Sequence, residues 1–459
     1  MEMLLALGLL LFACGLLLEY ATHRPLRHAF APPHSTIVMT EADDDFMEEA
    51  SEAVVKRRSW RTKSQRMSRS ASFGEEKPAS LLSAVASIAF LSTGLLSIYA
   101  GLVQGSTATA SVPLIIDTDM SFDVDDVGAI CIAHALMDLG EAELLAVVHS
   151  SGYPEGIGAA SVINEWYGHS SVRLGAYKGS FGKDANGEWI SGLYVPNLVQ
   201  NFPSPVKNLS QVPESVEVYR QTLAEAADSS VAIAVIGFAT NIAALLRSSP
   251  DRYSALNGVE LVKQKVRLVV WQGGWYEPLH PDGHSTFNWD CGSCCGYQGV
   301  GCLGEAQYAL QHMPANVEQI FTDLGDAIYH GGSRFRSCSS ASNPCRQAYI
   351  DHSWGLDDLS DVSSTLIDMY GHPPGRQSWD PIAVLVAVRG VASEQFVLDQ
   401  SGGYNRADFA GANFWTPPNE SIRLSKQSIL AFDGTYPWYA ERLSASAVLD
   451  DLLCRPPRK

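Results

Sequence analysis

Apolar residues are distributed in two different ways along this 459-residue chain. Before residue 111 they form long unbroken runs; after it they form short runs separated by polar turns. Met3–Leu18 carries no charge, and its length is short for a bilayer span but suits the core of a signal peptide. Ala79–Val103 is also uncharged and is long enough to cross a bilayer. Between the two runs an acidic block (Asp43 to Glu52) gives way to a basic, Ser-rich block (Lys56 to Arg69), a composition that predicts disorder.

From Pro113 onward the pattern predicts strands at Leu114–Ile116, Glu143–Val148, Val231–Ile236 and Val266–Trp271. Helices are expected at Val127–Leu139, Thr240–Arg247 and Pro381–Val388. Alternation of this kind gives a mostly parallel sheet covered by helices on both faces, an α/β fold. No internal repeat is visible. Residues 1–111 therefore form a leader and 112–459 one large domain, with Gly/Ser/Cys-rich insertions near 291–302 and 331–345.

The formal net charge is −18, from 32 basic and 50 acidic side chains. Residues 1–111 are nearly neutral, so the acidity belongs to the domain, and an acidic surface excludes nucleic acid as a partner. Basic residues ahead of 79–103 would stay cytoplasmic, placing 112–459 in a lumen or outside the cell, membrane-anchored or exported after cleavage near Ala110. The motif His28-Ala29-Phe30-Ala31-Pro32 keeps a plastid or thylakoid-lumen destination as an alternative. Cys291, Cys294, Cys295 and Cys302 cluster, and Cys338 and Cys345 bracket one loop. In an exported protein, clustered loop cysteines are most simply disulfides, with a zinc knuckle at 291–302 as the competing reading. Cys131 reads as a core residue. Asn208 and Asn419 open glycosylation sequons that matter only on a secretory route.

Five aspartates then change the picture. Asp117, Asp119, Asp123, Asp125 and Asp126 follow directly on the apolar run Val112–Ile116. Like charges this close repel and raise one another's pKa, so a cation is expected among them, and hard oxygen ligands suit Ca²⁺ or Mg²⁺. A solvated acidic turn is the bland alternative. An EF-hand is excluded, because Phe122 stands at the required Gly and Gly128 at the required Glu. Asp117-Thr118-Asp119 at a strand end also resembles the opening of haloacid-dehalogenase-type phosphatases, but no later Lys and paired acidic motif supports that.

The motifs together resemble the inosine–uridine-preferring nucleoside hydrolases. Ile115-Ile116-Asp117-Thr118-Asp119 with Asp125-Asp126 is similar to their amino-terminal Asp-rich signature, and Ile236-Gly-Phe-Ala-Thr-Asn-Ile-Ala243 to their Gly-x-Leu-Thr-Asn-x-Ala turn. Gln272-Gly273-Gly274 with Phe287-Asn288, and Trp379-Asp380-Pro381, resemble the two later motifs in order. The resemblance implies one Ca²⁺ held by Asp119, Asp126, Asp380 and the carbonyl of Ile236. It further implies Asp119 as the base that activates water, and Asp125 and Asn288 on the ribose hydroxyls. Gln272 and His280 join them as candidate substrate-binding residues. The implied reaction is hydrolysis of the N-glycosidic bond of a ribonucleoside to ribose and free base. The implied partner is a small nucleoside, and homo-oligomerisation is left open.

The departures define the alternatives. The Asp-rich loop is two residues longer than the common form and adds Asp123, which could replace either metal carboxylate. Thr286 stands where a ribose-binding Glu is usual, His280 where Asn is, and Tyr153 near another Asn. Trp379 occupies the position of a proton-donating His. Trp cannot supply an acidic proton but can stack on a purine, so purine preference follows, with His280 or His284 as the remaining candidate acids. A catalytically diverged nucleoside- or ribose-binding protein is the alternative to an active hydrolase.

Overall fold

Within a computed structural model of the chain, residues 111–276, 287–352, 375–391, 396–418, 426–433 and 438–458 are described. The hydrophobic runs 3–18 and 79–103, the charged segment between them, His280, His284, Thr286 and the Asn419 sequon lie outside these residues. Among the described residues no helix is long and apolar enough to cross a membrane.

The first half of the domain alternates strand and helix. It runs β1 (Val112–Thr118), α1 (Asp125–Leu139), β2 (Ala142–His149), α2 (Gly156–Trp166) and β3 (Arg173–Ala176). Then come α3 (Tyr194–Asn201), α4 (Ser215–Glu225), β4 (Val231–Val235), α5 (Thr240–Arg247), α6 (Gly258–Lys265) and β5 (Val266–Gln272). The second half contains α7 (Glu305–His312), β6 (Glu318–Thr322), β7 (Tyr329–His330), α8 (Ser333–Cys338), α9 (Pro344–His352), β8 (Arg376–Gln377) and α10 (Trp379–Arg389). It closes with β9 (Phe396–Asp399), β10 (Tyr404–Ala407), β11 (Asn413–Thr416), β12 (Gln427–Phe432) and α11 (Trp438–Leu453). The expected strands and helices are all present, with ends shifted by a residue or two.

Eight strands form the central sheet in the order β3-β2-β1-β4-β5-β6-β12-β9. Every neighbouring pair is parallel except β12 and β9. Alternate residues of β1 serve opposite faces. Leu114 and Ile116 pack with α1, α2, α10 and α11, while Ile115 packs with α4, α5, α6 and α7. Full burial of each such aliphatic side chain is worth about 1.5–3 kcal/mol, which explains why these strands read as continuous Val/Ile/Leu runs.

Local signals set the helix ends. α6 starts at a reciprocal cap, Asn257 accepting from the Glu260 N–H while the Glu260 carboxylate accepts from the Asn257 N–H. α1 stops at Gly140, whose left-handed backbone (φ 78°) returns its N–H to the Leu136 and Met137 carbonyls.

Two disulfides tie distant elements and a third closes a loop. Cys131 of α1 bonds Cys345 of α9, Cys338 of α8 bonds Cys454 beyond α11, and Cys291 bonds Cys302 within its loop. Cys338 and Cys345 thus serve separate long-range bridges rather than one local loop, and Cys131 is more than a core residue. Cys295 is also disulfide-bonded. With three of its four sulfurs so committed, the 291–302 cluster is not a zinc knuckle.

Candidate active site

The strand order reverses at β1, whose neighbours are β2 on one side and β4 on the other. In such sheets the carboxyl ends of the two diverging strands leave a crevice for ligand. Here those ends carry Asp119 and Ile236. The Ile236 and Gly237 N–H groups both donate to the Asp117 carbonyl, at 2.8 and 3.0 Å. Gly237 is needed for this closeness, since a Cβ there would lie 2.5 Å from the Asp119 nitrogen.

Asp117 is a brace and not a ligand. Its carboxylate accepts from Asn241 Nδ2 and the Tyr219 hydroxyl, both at 2.8 Å. Asn241 Nδ2 also donates to the His149 carbonyl at 3.1 Å, and the Thr240 hydroxyl to the Ser150 carbonyl at 2.6 Å. The Thr-Asn pair at the start of α5 thus pins the ends of β1, β2 and β4 together. Burial pushes the Asp117 carboxyl up to about 7 despite these hydrogen bonds.

Asp125 and Asp126 occupy the first turn of α1, and Asp380 the first turn of α10. One carboxylate oxygen from each of the three lies within 4.8 Å of the others, and all three side chains are buried. The Thr118 hydroxyl donates to Asp126, and the Asp380 N–H donates to Asp125 at 3.1 Å. Burial first, and then mutual repulsion, hold Asp119, Asp125, Asp126 and Asp380 well above the ordinary carboxylate range. The sequence assigned Asp119, Asp126 and Asp380 to a metal and Asp125 to sugar. The structure instead groups Asp125 with Asp126 and Asp380, while Asp119 lines the same cavity beside them.

That cavity encloses about 700 Å³ including its open mouth. Gln272, Asn288, Ile236 and Trp379 all line it. Tyr153 is not among its lining residues; its hydroxyl accepts from Ser191 at 2.7 Å instead. Asn288 Nδ2 donates to the Ile236 carbonyl at 2.9 Å and to Gln272 Oε1 at 2.6 Å.

Asp123 stands apart from the three-carboxylate group and pairs with Arg376. Its carboxylate takes two hydrogen bonds from Arg376, one of them at 2.7 Å from Nε, and its other oxygen is engaged by Nη2. His352 Nε2 lies 3.6 Å away. Burial opposes ionisation of Asp123, but Arg376 and then His352 outweigh it and hold the carboxyl below its usual range. Arg376 was missed in the sequence, as were the wall residues Ser121, Phe122, Phe238 and Tyr297. The one available signal for Arg376 was a basic residue three positions before Trp379. Tyr297 meets Ser121 at 2.8 Å between hydroxyls and packs edge-on against Phe238.

A plant nucleoside hydrolase superposes with a TM-score of 0.50 at 15% identity, covering 75% of this chain and 99% of that one. The type III effector protein XopQ, complexed with adenosine diphosphate ribose, gives 0.52 at 16% identity over 76% of this chain and 95% of that one. The effector protein XOO4466 gives 0.51 at 14% identity over 76% and 95%. The domain has a nucleoside-hydrolase-like fold. No family model matches the sequence, and no curated protein does. The nucleoside-hydrolase-like core carries its acidic cluster at the sheet's switch point, and the donor set there fits a hard divalent cation. The three buried carboxylates are hard oxygen donors of the kind that suit such an ion.

Proposed function

We propose that the domain hydrolyses the N-glycosidic bond of ribonucleosides, purine nucleosides foremost, releasing free base and ribose. The observation that carries this reading is the pairing, in one cavity, of three buried carboxylates and the partly exposed Asp119 with an aromatic wall. Asp125, Asp126 and Asp380, with the Ile236 carbonyl and Asp119 beside them, would hold Ca²⁺. When bound, such a cation neutralises the carboxylates and polarises water and sugar hydroxyls.

The chain's own groups then account for the chemistry. Asp119 takes the proton of the attacking water, and the surrounding carboxylates stabilise the positive charge that develops on the sugar as the bond to the base loosens. Trp379, Phe122 and Phe238 provide faces for a planar base, where a larger π-surface gains more. Asp119→Asn should lower kcat for inosine by at least about 100-fold, the scale of a lost general base, while leaving ligand binding measurable. Release of hypoxanthine at the wild-type rate by that variant would end the proposal.

One observation favours a second reading, a protein that binds a ribosyl ligand without cleaving it. The Asn288 amide nitrogen is turned toward Ile236 and Gln272, and its two hydrogens are satisfied there without any sugar. Calorimetric binding of adenosine diphosphate ribose with no base release from any nucleoside would favour it. The disulfides also support maturation of the domain in an oxidising compartment, in line with export behind the leader.

A further inference from the structure

Departure of a nucleobase places negative charge on the base unless a proton reaches it. In this cavity that charge would build up near Asp119, Asp125, Asp126 and Asp380, a field that opposes bond cleavage. Trp379 has no acidic proton to offer. Among the described residues that line the cavity, Arg376 is the single cation. Its guanidinium carbon lies 4.9 Å from the centre of the Trp379 ring, so the charge rests against the aromatic wall.

The way Arg376 is held fits this task. A guanidinium has five N–H donors. Nε and Nη2 are fixed on the two oxygens of Asp123, and Nη1 reaches Gln377 Oε1 at 3.2 Å. Two N–H groups remain uncommitted to described residues. Asp123 is itself anchored, its carbonyl accepting from the Tyr194 hydroxyl. The extra acidic residue of the long Asp-rich loop thus orients a cation instead of binding one.

We propose that Arg376 is a catalytic residue that stabilises the departing base electrostatically, in place of a proton donor, with Asp123 as its positioning residue. The inference rests on the hydrolase reading. Water's oxygen bonds to the anomeric carbon as the carbon–nitrogen bond breaks, and the bonding pair stays on the base nitrogen. The water proton passes to Asp119. The base anion faces Arg376 until solvent protonates it, and Asp119 returns its proton to solvent.

The test compares two leaving groups in the full chain with Ca²⁺ supplied: hypoxanthine from inosine, which needs activation, and 4-nitrophenolate from 4-nitrophenyl riboside, which leaves unaided. Arg376→Gln should lower kcat/KM for inosine by about 100-fold, the scale of losing one donor to a developing anion. The loss for the nitrophenyl riboside should be smaller by about 10-fold or more, and Arg376→Lys, which keeps the charge, should restore part of the inosine rate. Asp123→Asn should show the same leaving-group selectivity with a smaller loss. Equal losses on both substrates, or no recovery with Lys in a variant that melts like the wild type, would overturn the assignment while leaving the hydrolase intact. A wild type that cleaves neither substrate would overturn the hydrolase reading, and this inference with it.

Discussion

The two ends of α1 treat buried charge in opposite ways. At its amino end Asp125 and Asp126 face Asp380 and Asp119, and among the described residues lining the cavity the one cationic side chain is Arg376, which is paired with Asp123. At its carboxyl end His134 meets His169 at 2.8 Å between Nδ1 atoms and Asn164 Oδ1 at 2.8 Å from Nε2. His169 Nε2 continues to Asp138 at 3.2 Å, and Asp138 also accepts from the Arg458 N–H at 2.9 Å. One end pairs its histidines and Asp138 within the protein, with Asn164 Nδ2 left without a partner among the described residues, and the other crowds carboxylates onto a cavity open to a ligand. A buried group that lacks its compensating charge is costly, so its persistence points to something that binds.

The largest effect should come from supplying the missing charge. On the proposed reading Ca²⁺ binds the native state alone, so saturation at 100 times Kd should stabilise the domain by about 2.7 kcal/mol. Asp380→Ala should remove most of this gain, because the triple loses one of its charged ligands. An Asp380→Ala thermal shift with Ca²⁺ equal to that of the wild type would show that the open end of α1 is not a cation site.

Much of this contrast was legible in sequence, for reasons that differ by element. β1, β2, β4 and β5 are buried on both faces and announce themselves as apolar runs. β3, at one sheet edge, is only half buried, and β9 pairs antiparallel at the other, so neither gave a pattern. Asp119, Asp125 and Asp126 could be read because their chemistry is crowded into one loop. The Asp123–Arg376 pair joins positions 253 apart, and Cys131–Cys345 joins positions 214 apart. Nothing local in the chain encodes those partners. The relay at the carboxyl end of α1 was missed for the same reason, since His134, Asn164 and His169 each look ordinary alone.

Acid should expose the closed end. Burial pushes His134 from 6.5 down to about 3, against the hydrogen bond to Asn164. Between those values the unfolded chain takes up a proton that the folded state refuses. The group's contribution is therefore neutral above 6.5, and stability is lost as pH falls from 6.5 toward 3. At pH 5 the loss is about 2 kcal/mol. His134→Gln should be less stable than the wild type at pH 7.5 but decline less steeply toward pH 5. Urea unfolding at both values with disulfides intact and chelator present measures this, and parallel declines would remove His134 as the acid-sensitive group.

The smallest effect carries the sharpest sign. Asp138 is partly exposed, and pairs of this type are worth at most about 1 kcal/mol. Asp138→Asn should therefore lower stability slightly, with or without Ca²⁺, by weakening the contacts to His169 and Arg458. Asp126→Asn removes a carboxylate of the same helix, yet in chelator it should raise stability, because burial and the charge of Asp119 both disfavour ionisation there. Its amide oxygen can still accept from the Thr118 hydroxyl, so little is lost in exchange. Added Ca²⁺ should reverse the order, stabilising the wild type more than the variant. Melting temperatures of the three proteins with and without chelator decide the matter. If Asp126→Asn destabilises in chelator as Asp138→Asn does, the two ends of α1 are alike, and the charge at its amino end is already balanced within the protein.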